Sequence, residues 1–176
     1  MTRRWVLAGV AAMLVSACGP TVVQRAFRQP TCGLNDSVGL MAQAVSTSPF
    51  IPCIEQYPAG WTFGSSDVRR GRARFWLDSD RAGFQALEVT LTRTCHAAGT
   101  ELPTDRPGTR LIVGGGVVGT RYVGARFYVF PGGCITYQYD FPRLDAPVLS
   151  TEASTAIGMF RRSVLTAAIR KMGLKT

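Results

Sequence analysis

The sequence predicts an α+β domain: a four- or five-stranded antiparallel sheet with a short N-terminal helix and a long C-terminal helix packed on it. Two kinds of periodicity support this prediction. Four central segments alternate apolar and polar residues with a period of two, which is typical of antiparallel strands with one buried face. Segments near the two ends of the domain instead repeat apolar residues with the helical period of 3.6.

The first helix is predicted to start at Asn35 or Asp36, because both side chains are good N-caps. The residues that follow place apolar side chains at helical spacing: Val38, Met41, Ala42 and Val45. Residues 48–66 hold three prolines and Gly60, so they are predicted to form a loop. Its predicted anchors in the core are Phe50, Ile51, Tyr57 and Trp61.

The four predicted strands occupy the middle of the chain, at residues 72–78, 87–92, 122–129 and 135–141. In the first of them, Ala73, Phe75 and Leu77 occupy the predicted buried face. Residues 78–83 and 131–133 contain the glycine, proline and aspartate residues that favour turns, so each segment is predicted to connect two neighbouring strands.

The last predicted element is a helix from Thr151 to Met172. Ser150 is its predicted N-cap and Gly173 its predicted C-terminal stop. A continuous stripe forms its apolar face: Ile157, Phe160, Val164, Leu165, Ala168, Ile169 and Met172. This face is predicted to pack across the sheet.

The first residues of the chain have the pattern of an export signal. Arg3 and Arg4 precede an uncharged apolar run from Trp5 to Ala17, which is shorter than the about 20 residues that a membrane-spanning helix needs. The run ends in Val15-Ser16-Ala17-Cys18, in which small residues precede a cysteine. We therefore predict a signal peptide at residues 1–17, compatible with either the general secretory or the twin-arginine route.

The segment around Cys18 resembles the lipobox of bacterial lipoproteins. This resemblance implies that Cys18 becomes the first residue of the mature chain and carries a diacylglycerol. It also implies a location at the cell membrane, on the extracytoplasmic face. Residues 18–31 have little periodicity and are predicted to be a tether, so residues 32–176 form a single exported domain.

Four further cysteines lie in the predicted exported domain: Cys32, Cys53, Cys95 and Cys134. An even number of cysteines in an exported domain indicates two disulfides, for which three connectivities exist. We predict Cys32–Cys53 and Cys95–Cys134, because Cys95 ends the second predicted strand and Cys134 begins the fourth. The spacing contains no C-x-x-C pair and the chain has one histidine, so no zinc site is expected.

Three short motifs resemble parts of known binding or catalytic sites. Gly114–Gly119 matches G-x-G-x-x-G, but a strand follows it where a dinucleotide site needs a helix, so we interpret it as a flexible loop between strands. Asp78 and Asp80 have too few neighbouring oxygen ligands for calcium and are interpreted as turn residues. His96 is interpreted as an exposed residue at a strand end.

The sequence marks no catalytic group, cofactor site or metal site. No serine lies in a Gly-x-Ser-x-Gly turn, and the single histidine argues against most hydrolase triads. An enzymatic role is therefore the least favoured of the functions considered.

A cluster of arginines is the strongest charge feature of a chain whose net charge is +9. Arg69, Arg70, Arg72 and Arg74 fall within six residues and are followed by Trp76. Outside the membrane such a cluster favours anionic lipid headgroups or an acidic wall polymer over nucleic acid. The alternative is a solvated strand edge whose charges prevent aggregation.

The segment Phe127–Phe141 resembles a stretch of uncharacterised exported proteins from actinobacteria, as does Phe75–Gly83. This resemblance implies export and disulfide formation but no activity. The leading hypothesis is therefore a lipid-anchored, non-enzymatic envelope domain that binds an anionic envelope component or a membrane-protein partner. The alternative is an anchored carrier or sensor that holds an apolar ligand between the sheet and the C-terminal helix.

Overall fold

A computed structural model describes residues 29–172 of the chain. The predicted signal peptide, Cys18, most of the tether and Gly173 lie outside the described residues. No helix in the described part is long and apolar enough to cross a membrane.

The described chain contains three helices and nine strands. The helices are α1 (Asp36–Ala44), α2 (Ala146–Ala156) and α3 (Arg162–Lys171). The strands are β1 (Phe50–Ile54), β2 (Trp61–Arg69), β3 (Arg72–Ser79), β4 (Gly83–Thr92), β5 (Thr100–Leu102), β6 (Arg110–Val118), β7 (Arg121–Phe130), β8 (Gly133–Pro142) and β9 (Ile157–Arg161).

Seven strands form the main sheet, in the order β2-β3-β4-β8-β7-β6-β5, and every neighbouring pair is antiparallel. β1 and β9 form a separate antiparallel pair. The predicted α+β class is confirmed, but the predicted four or five strands are too few. The four predicted strands correspond to β3, β4, β7 and β8.

One face of the main sheet, the inner face, packs against α1, the β1–β9 pair and α2. Alternating residues of the central strands supply fully buried side chains: Phe75, Leu77, Leu87, Val89, Leu91, Ile135, Tyr137 and Phe141. The covering layer supplies Met41, Ile51 and Leu149. The period-two pattern therefore predicts the buried face of β3, β4 and β8. In β7 the apolar set with Val123, Ala125 and Phe127 lies on the opposite face, and Tyr128 and Phe130 are the buried residues.

Helix α1 forms as predicted. The side chain of Asn35 accepts a hydrogen bond from the Val38 backbone N–H at 2.9 Å, which satisfies one of the free donors of the first turn. Val38, Met41 and Ala42 are buried on one side of the helix. The apolar spacing predicted both the helix and its buried face.

The loop predicted for residues 48–66 is wrong, because this segment contains β1 and most of β2. Pro49 precedes β1 and Pro58 lies between the two strands. Pro52 lies in the middle of β1, which pairs with β9 on one side and forms an isolated bridge with Thr31 on the other, so its missing N–H interrupts no long ladder. The prolines are therefore compatible with short strands in this segment.

The single long helix predicted from Thr151 to Met172 is also wrong. The segment divides into α2, β9 and α3, and Ser150 lies inside α2, which starts at Ala146 after Asp145. Gly158 fits the strand that forms there, because a Cβ atom on it would lie 2.7 Å from the Cys32 sulfur. Residues 157–161 pair instead with β1, so the predicted apolar stripe is not one helix face.

The glycines of the G-x-G-x-x-G match are not a flexible loop. Gly114, Gly115 and Gly116 lie inside β6, and the turn to β7 begins only at Gly119. A Cβ atom on Gly114 would lie 2.4 Å from the carbonyl oxygen of Ala98. The missing side chain therefore lets the segment before β5 pass directly against β6.

Both predicted disulfides are confirmed. The sulfur atoms of Cys32 and Cys53 are 2.01 Å apart, and those of Cys95 and Cys134 are 2.08 Å apart. Cys95 follows the end of β4, and Cys134 lies near the start of β8. The two cysteines meet because β4 pairs directly with β8, with Thr92 opposite Cys134. The order of the strands is not a simple meander, since β5, β6 and β7 lie on the far side of β8.

Candidate binding face of the sheet

The second face of the main sheet, the outer face, lies opposite the helices. The register places the side chains of Trp76, Glu88 and Gln138 next to one another across β3, β4 and β8. The same register continues this row to Ala125 on β7 and Gly114 on β6. Residues 93–99 cross from the end of β4 to β5 past this side, and Cys95 bonds there to Cys134.

The four clustered arginines lie together at the end of the β2–β3 hairpin, and we call them the arginine corner. Arg69 and Arg72 are paired residues on either side of the turn that contains Arg70. Arg72 and Arg74 share the outer face with Trp76, as the sequence predicts. The strand-edge alternative is not supported for these two residues, because β3 has a partner strand on each side.

Asp67 partly neutralises the arginine corner. Its carboxylate lies 2.9 Å from Arg69 Nε, 3.1 Å from Arg74 Nη2 and 3.5 Å from Arg72 Nη2. Burial raises the pKa of Asp67, but hydrogen bonds and charge from Arg69 and Arg74 outweigh it, so the pKa is lowered overall. The sequence singled out neither Asp67 nor Glu88 of this site, although Asp67 precedes Arg69 by only two positions.

Trp76 is held in place between two charged side chains. The guanidinium carbon of Arg74 lies 4.7 Å from the centre of the Trp76 ring, and Arg74 Nη1 lies 3.7 Å from Glu88 Oε1. The Trp76 indole N–H donates a hydrogen bond of 2.9 Å to Glu88 Oε2. The guanidinium groups of Arg69, Arg72 and Arg74 contact the carboxylates of Asp67 and Glu88, and Arg70 adds a fourth charge. The corner therefore keeps a net positive charge.

A groove of about 480 Å³ begins at Trp76 and runs over the outer face. Its apolar lining comes mainly from Val123, Ala125, Phe127 and Ala98. Its polar lining comes from Gln85, Glu88, Gln138 and Asp140. Arg121 Nε pairs with Asp140 at 2.7 Å, so both carboxylates that line the groove already have a cationic partner. The groove combines an aromatic wall with amide groups and paired charges, which suits a polar extended ligand.

A buried tyrosine cluster lies on the inner face, where Tyr128, Tyr137 and Tyr139 are all buried. Burial, and then the neighbouring Tyr128, raise the pKa of Tyr137 well above its ordinary value. Its hydroxyl has no hydrogen-bond partner among the described residues. A phenol that stays protonated behind the sheet is not poised as a nucleophile or base, so this cluster is part of the core.

The remaining residues that the sequence singled out do not come together as a site. Asp78 accepts a hydrogen bond of 2.7 Å from the Gln85 backbone N–H across the β3–β4 hairpin, and Asp80 lies exposed in the turn. His96 is exposed between β4 and β5. Within residues 29–172, no three acidic, histidine or cysteine side chains are grouped to hold a metal ion. Comparison of the chain with protein-family models, curated proteins and solved structures found no match.

Proposed function

We propose that this protein is a lipid-anchored, non-enzymatic module of the cell envelope that binds an anionic wall polymer on the outer face of its sheet. The observation that carries the proposal is the arginine corner and its continuity with the groove at Trp76. Phosphate or carboxylate groups of a polymer would meet the guanidinium groups, and its uncharged units would lie along the groove.

The alternative of a carrier with an apolar ligand inside the domain has less support. The space between the sheet and the covering layer holds large buried side chains, among them Phe75, Phe141 and Tyr137. The ring centres of Tyr139 and Phe141 are 4.9 Å apart, and Phe141 also meets Trp61 at 6.1 Å. These aromatic contacts fill the region in which a carrier would hold its ligand. The outer face, by contrast, has a groove open to solvent.

The anchoring part of the proposal rests on the lipobox resemblance and on the two disulfides, which form in oxidising compartments. Replacement of Cys18 by alanine removes the thiol that would carry the lipid. We expect the variant to move from the detergent-soluble membrane fraction to the aqueous or precursor fraction of the producing cells. A variant that is processed normally and still needs detergent would contradict lipidation at Cys18.

The binding part of the proposal is tested by reversing the charge of the arginine corner. In the chain that lacks residues 1–18, we expect Arg69→Glu, Arg70→Glu and Arg72→Glu together to weaken binding to soluble poly(glycerol phosphate) about tenfold or more. Each reversal replaces an attraction with a repulsion, and added salt should weaken wild-type binding in the same direction. Isothermal titration calorimetry measures the affinity.

The matched control carries the same change of charge elsewhere, at Arg161, which directly precedes α3, and at Arg170 and Lys171 in its last turn. It should retain polymer binding, because these residues lie outside the outer face. An uncharged oligosaccharide serves as the control ligand. Equal loss of affinity in both triple variants would mean that net charge, and not the arginine corner, determines binding, and the proposal would fail.

A further inference from the structure

Helix α3 carries a second basic surface, away from the arginine corner. Leu165, Ala168 and Ile169 turn toward the domain and are half-buried, whereas no residue of this ten-residue helix is fully buried. A groove of about 450 Å³ runs along one side of α3, between Phe50, Arg161, Thr166 and Arg170. A groove of about 480 Å³ follows the other side, between Leu34, Val164, Ala167 and Lys171.

The cations at and beside α3 lack carboxylate partners, whereas Arg69, Arg72 and Arg74 of the arginine corner each pair with Asp67. Within residues 29–172, no ion pair forms at Arg161, Arg170 or Lys171. The Arg161 guanidinium lies 5.8 Å from the centre of the Phe50 ring. The full positive charge of this surface is therefore available to an anionic partner.

Large apolar side chains lie exposed beside these cations. Leu34 is 57% exposed, Val164 48% and Met172 66%. Leu34 and Val164 line the same groove although they are distant in sequence. Exposed apolar side chains grouped with unpaired basic residues on a short helix are typical of a segment that lies in the interface of a bilayer. We call Leu34, Arg161, Val164, Arg170, Lys171 and Met172 the α3 face.

The predicted tether enters the domain next to the α3 face. Thr31 bridges to Ile54 of β1, and Cys32 is bonded to Cys53 in the same strand. The Cys32 sulfur also packs against Gly158 of β9, the strand that leads directly into α3. The twelve residues from Cys18 to Gln29 span at most about 40 Å when fully extended. A lipid at Cys18 would therefore keep this part of the domain close to the membrane surface.

We propose that the α3 face lies against an anionic phospholipid bilayer and orients the anchored domain on it. Arg161, Arg170 and Lys171 would contact the lipid phosphates, while Leu34 and Val164 would enter the boundary between headgroups and acyl chains. The placement rests on the proposed anchoring at Cys18, but direct contact does not require the lipid. The outer face is on the side of the sheet opposite the covering layer, and β9 of that layer leads into α3. With the α3 face on the membrane, the arginine corner would therefore stay accessible to the wall.

Vesicle binding tests the α3 face without the lipid. The chain that lacks residues 1–18 should bind vesicles of phosphatidylglycerol and phosphatidylcholine, and should not bind vesicles of phosphatidylcholine alone. Arg161→Glu, Arg170→Glu and Lys171→Glu together should weaken binding to the anionic vesicles about tenfold or more in a co-sedimentation assay. The Arg69→Glu, Arg70→Glu and Arg72→Glu variant is the matched control and should keep its affinity.

A fluorescence measurement locates the contact even if the charge-reversed helix is destabilised. Val164→Trp places an indole on the α3 face, and brominated anionic lipids should quench its emission when the chain binds. The native Trp76 lies on the outer face and Trp61 is buried, so the parent chain should show little quenching. Three results would each overturn the proposal. They are strong quenching of the parent chain, loss of vesicle binding in the arginine-corner variant alone, and equal binding to anionic and neutral vesicles. A failure of the lipidation proposal can be told apart from this, because it would appear in the membrane fractionation of the Cys18 variant. It would not change vesicle binding by the chain that lacks residues 1–18.

Discussion

Replacement of Arg162 by alanine is expected to lower the free energy of unfolding by about 3 kcal/mol or more. The Arg162 guanidinium donates to the carbonyl oxygens of Ala42 and Val45 through Nη2, each at 2.7 Å, and to that of Ser48 through Nε at 2.5 Å. These carbonyls belong to the end of α1 and the turn after it, where the helix leaves acceptors without partners. The helix dipole also favours a cation at this end.

Burial makes this interaction costly to lose. Desolvation lowers the pKa of Arg162 from its ordinary value, which fits a charge removed from water without a carboxylate beside it. Alanine would remove the Arg162 donor from three carbonyl oxygens, all on buried residues, although the Val45 oxygen would keep its hydrogen bond from the Ser48 backbone N–H. Lysine would restore the charge but not the planar fork that reaches separate acceptors, so Arg162→Lys should recover only part of the loss.

Urea-induced unfolding, followed by circular dichroism on the chain that lacks residues 1–18, measures this effect. The neighbouring Arg161→Ala is the control, because the Arg161 side chain is exposed and its guanidinium lies 5.8 Å from the centre of the Phe50 ring. It should change the free energy of unfolding by less than about 1 kcal/mol. An equal decrease of the free energy of unfolding in the two variants would show that Arg162 does not hold the end of α1.

Removal of the Cys95–Cys134 disulfide is expected to have an effect of similar size. The bond joins residues that are 39 positions apart, for which the chain-entropy relation gives about 4 kcal/mol at 25 °C. It also fixes residues 93–99 where they pass from β4 toward β5. We therefore expect the double variant Cys95→Ala, Cys134→Ala to unfold at a lower urea concentration and to lose order at the edge of the groove.

The second disulfide provides the comparison. Cys32 and Cys53 are 21 positions apart, so their replacement by alanine should cost about 3 kcal/mol by the same relation. This variant should keep polymer binding, since the Cys32–Cys53 bond lies away from the outer face. Hydrogen exchange of residues 93–102 distinguishes the two cases. Unchanged exchange in the Cys95 and Cys134 variant would mean that the glycine contacts at Gly114 alone fix the crossing segment.

The two proposed surfaces assign different roles to two basic clusters of the same chain. The arginine corner is partly neutralised by Asp67 and adjoins a groove, which suits a specific polymer contact. The α3 face has unpaired cations beside exposed Leu34 and Val164, which suits a fluid lipid surface. Anchoring through one surface and binding through the other would hold the sheet between the membrane and its ligand.

The sequence by itself determined the elements whose burial is regular. Period-two alternation predicted β3, β4, β7 and β8, and the spacing after Asn35 predicted α1 with its cap. The positions of Cys95 and Cys134 at the ends of predicted strands predicted their bond, which left Cys32 and Cys53 as the second pair. The sequence also placed Arg72, Arg74 and Trp76 on one face of a strand, because alternate side chains of a strand point the same way.

Only the tertiary structure decided which distant segments pair and which charges meet. Residues 157–161 have a helix-like apolar spacing, yet they form β9 because β1 offers backbone partners and Gly158 fits against the Cys32–Cys53 disulfide. Gly114 lies in β6 because it pairs with Ala125 of β7, and its missing side chain admits the crossing segment. Periodicity indicates that an element has one buried side, whereas which side is buried in β7, the pairing of strands and the ion contacts depend on residues far apart in the chain.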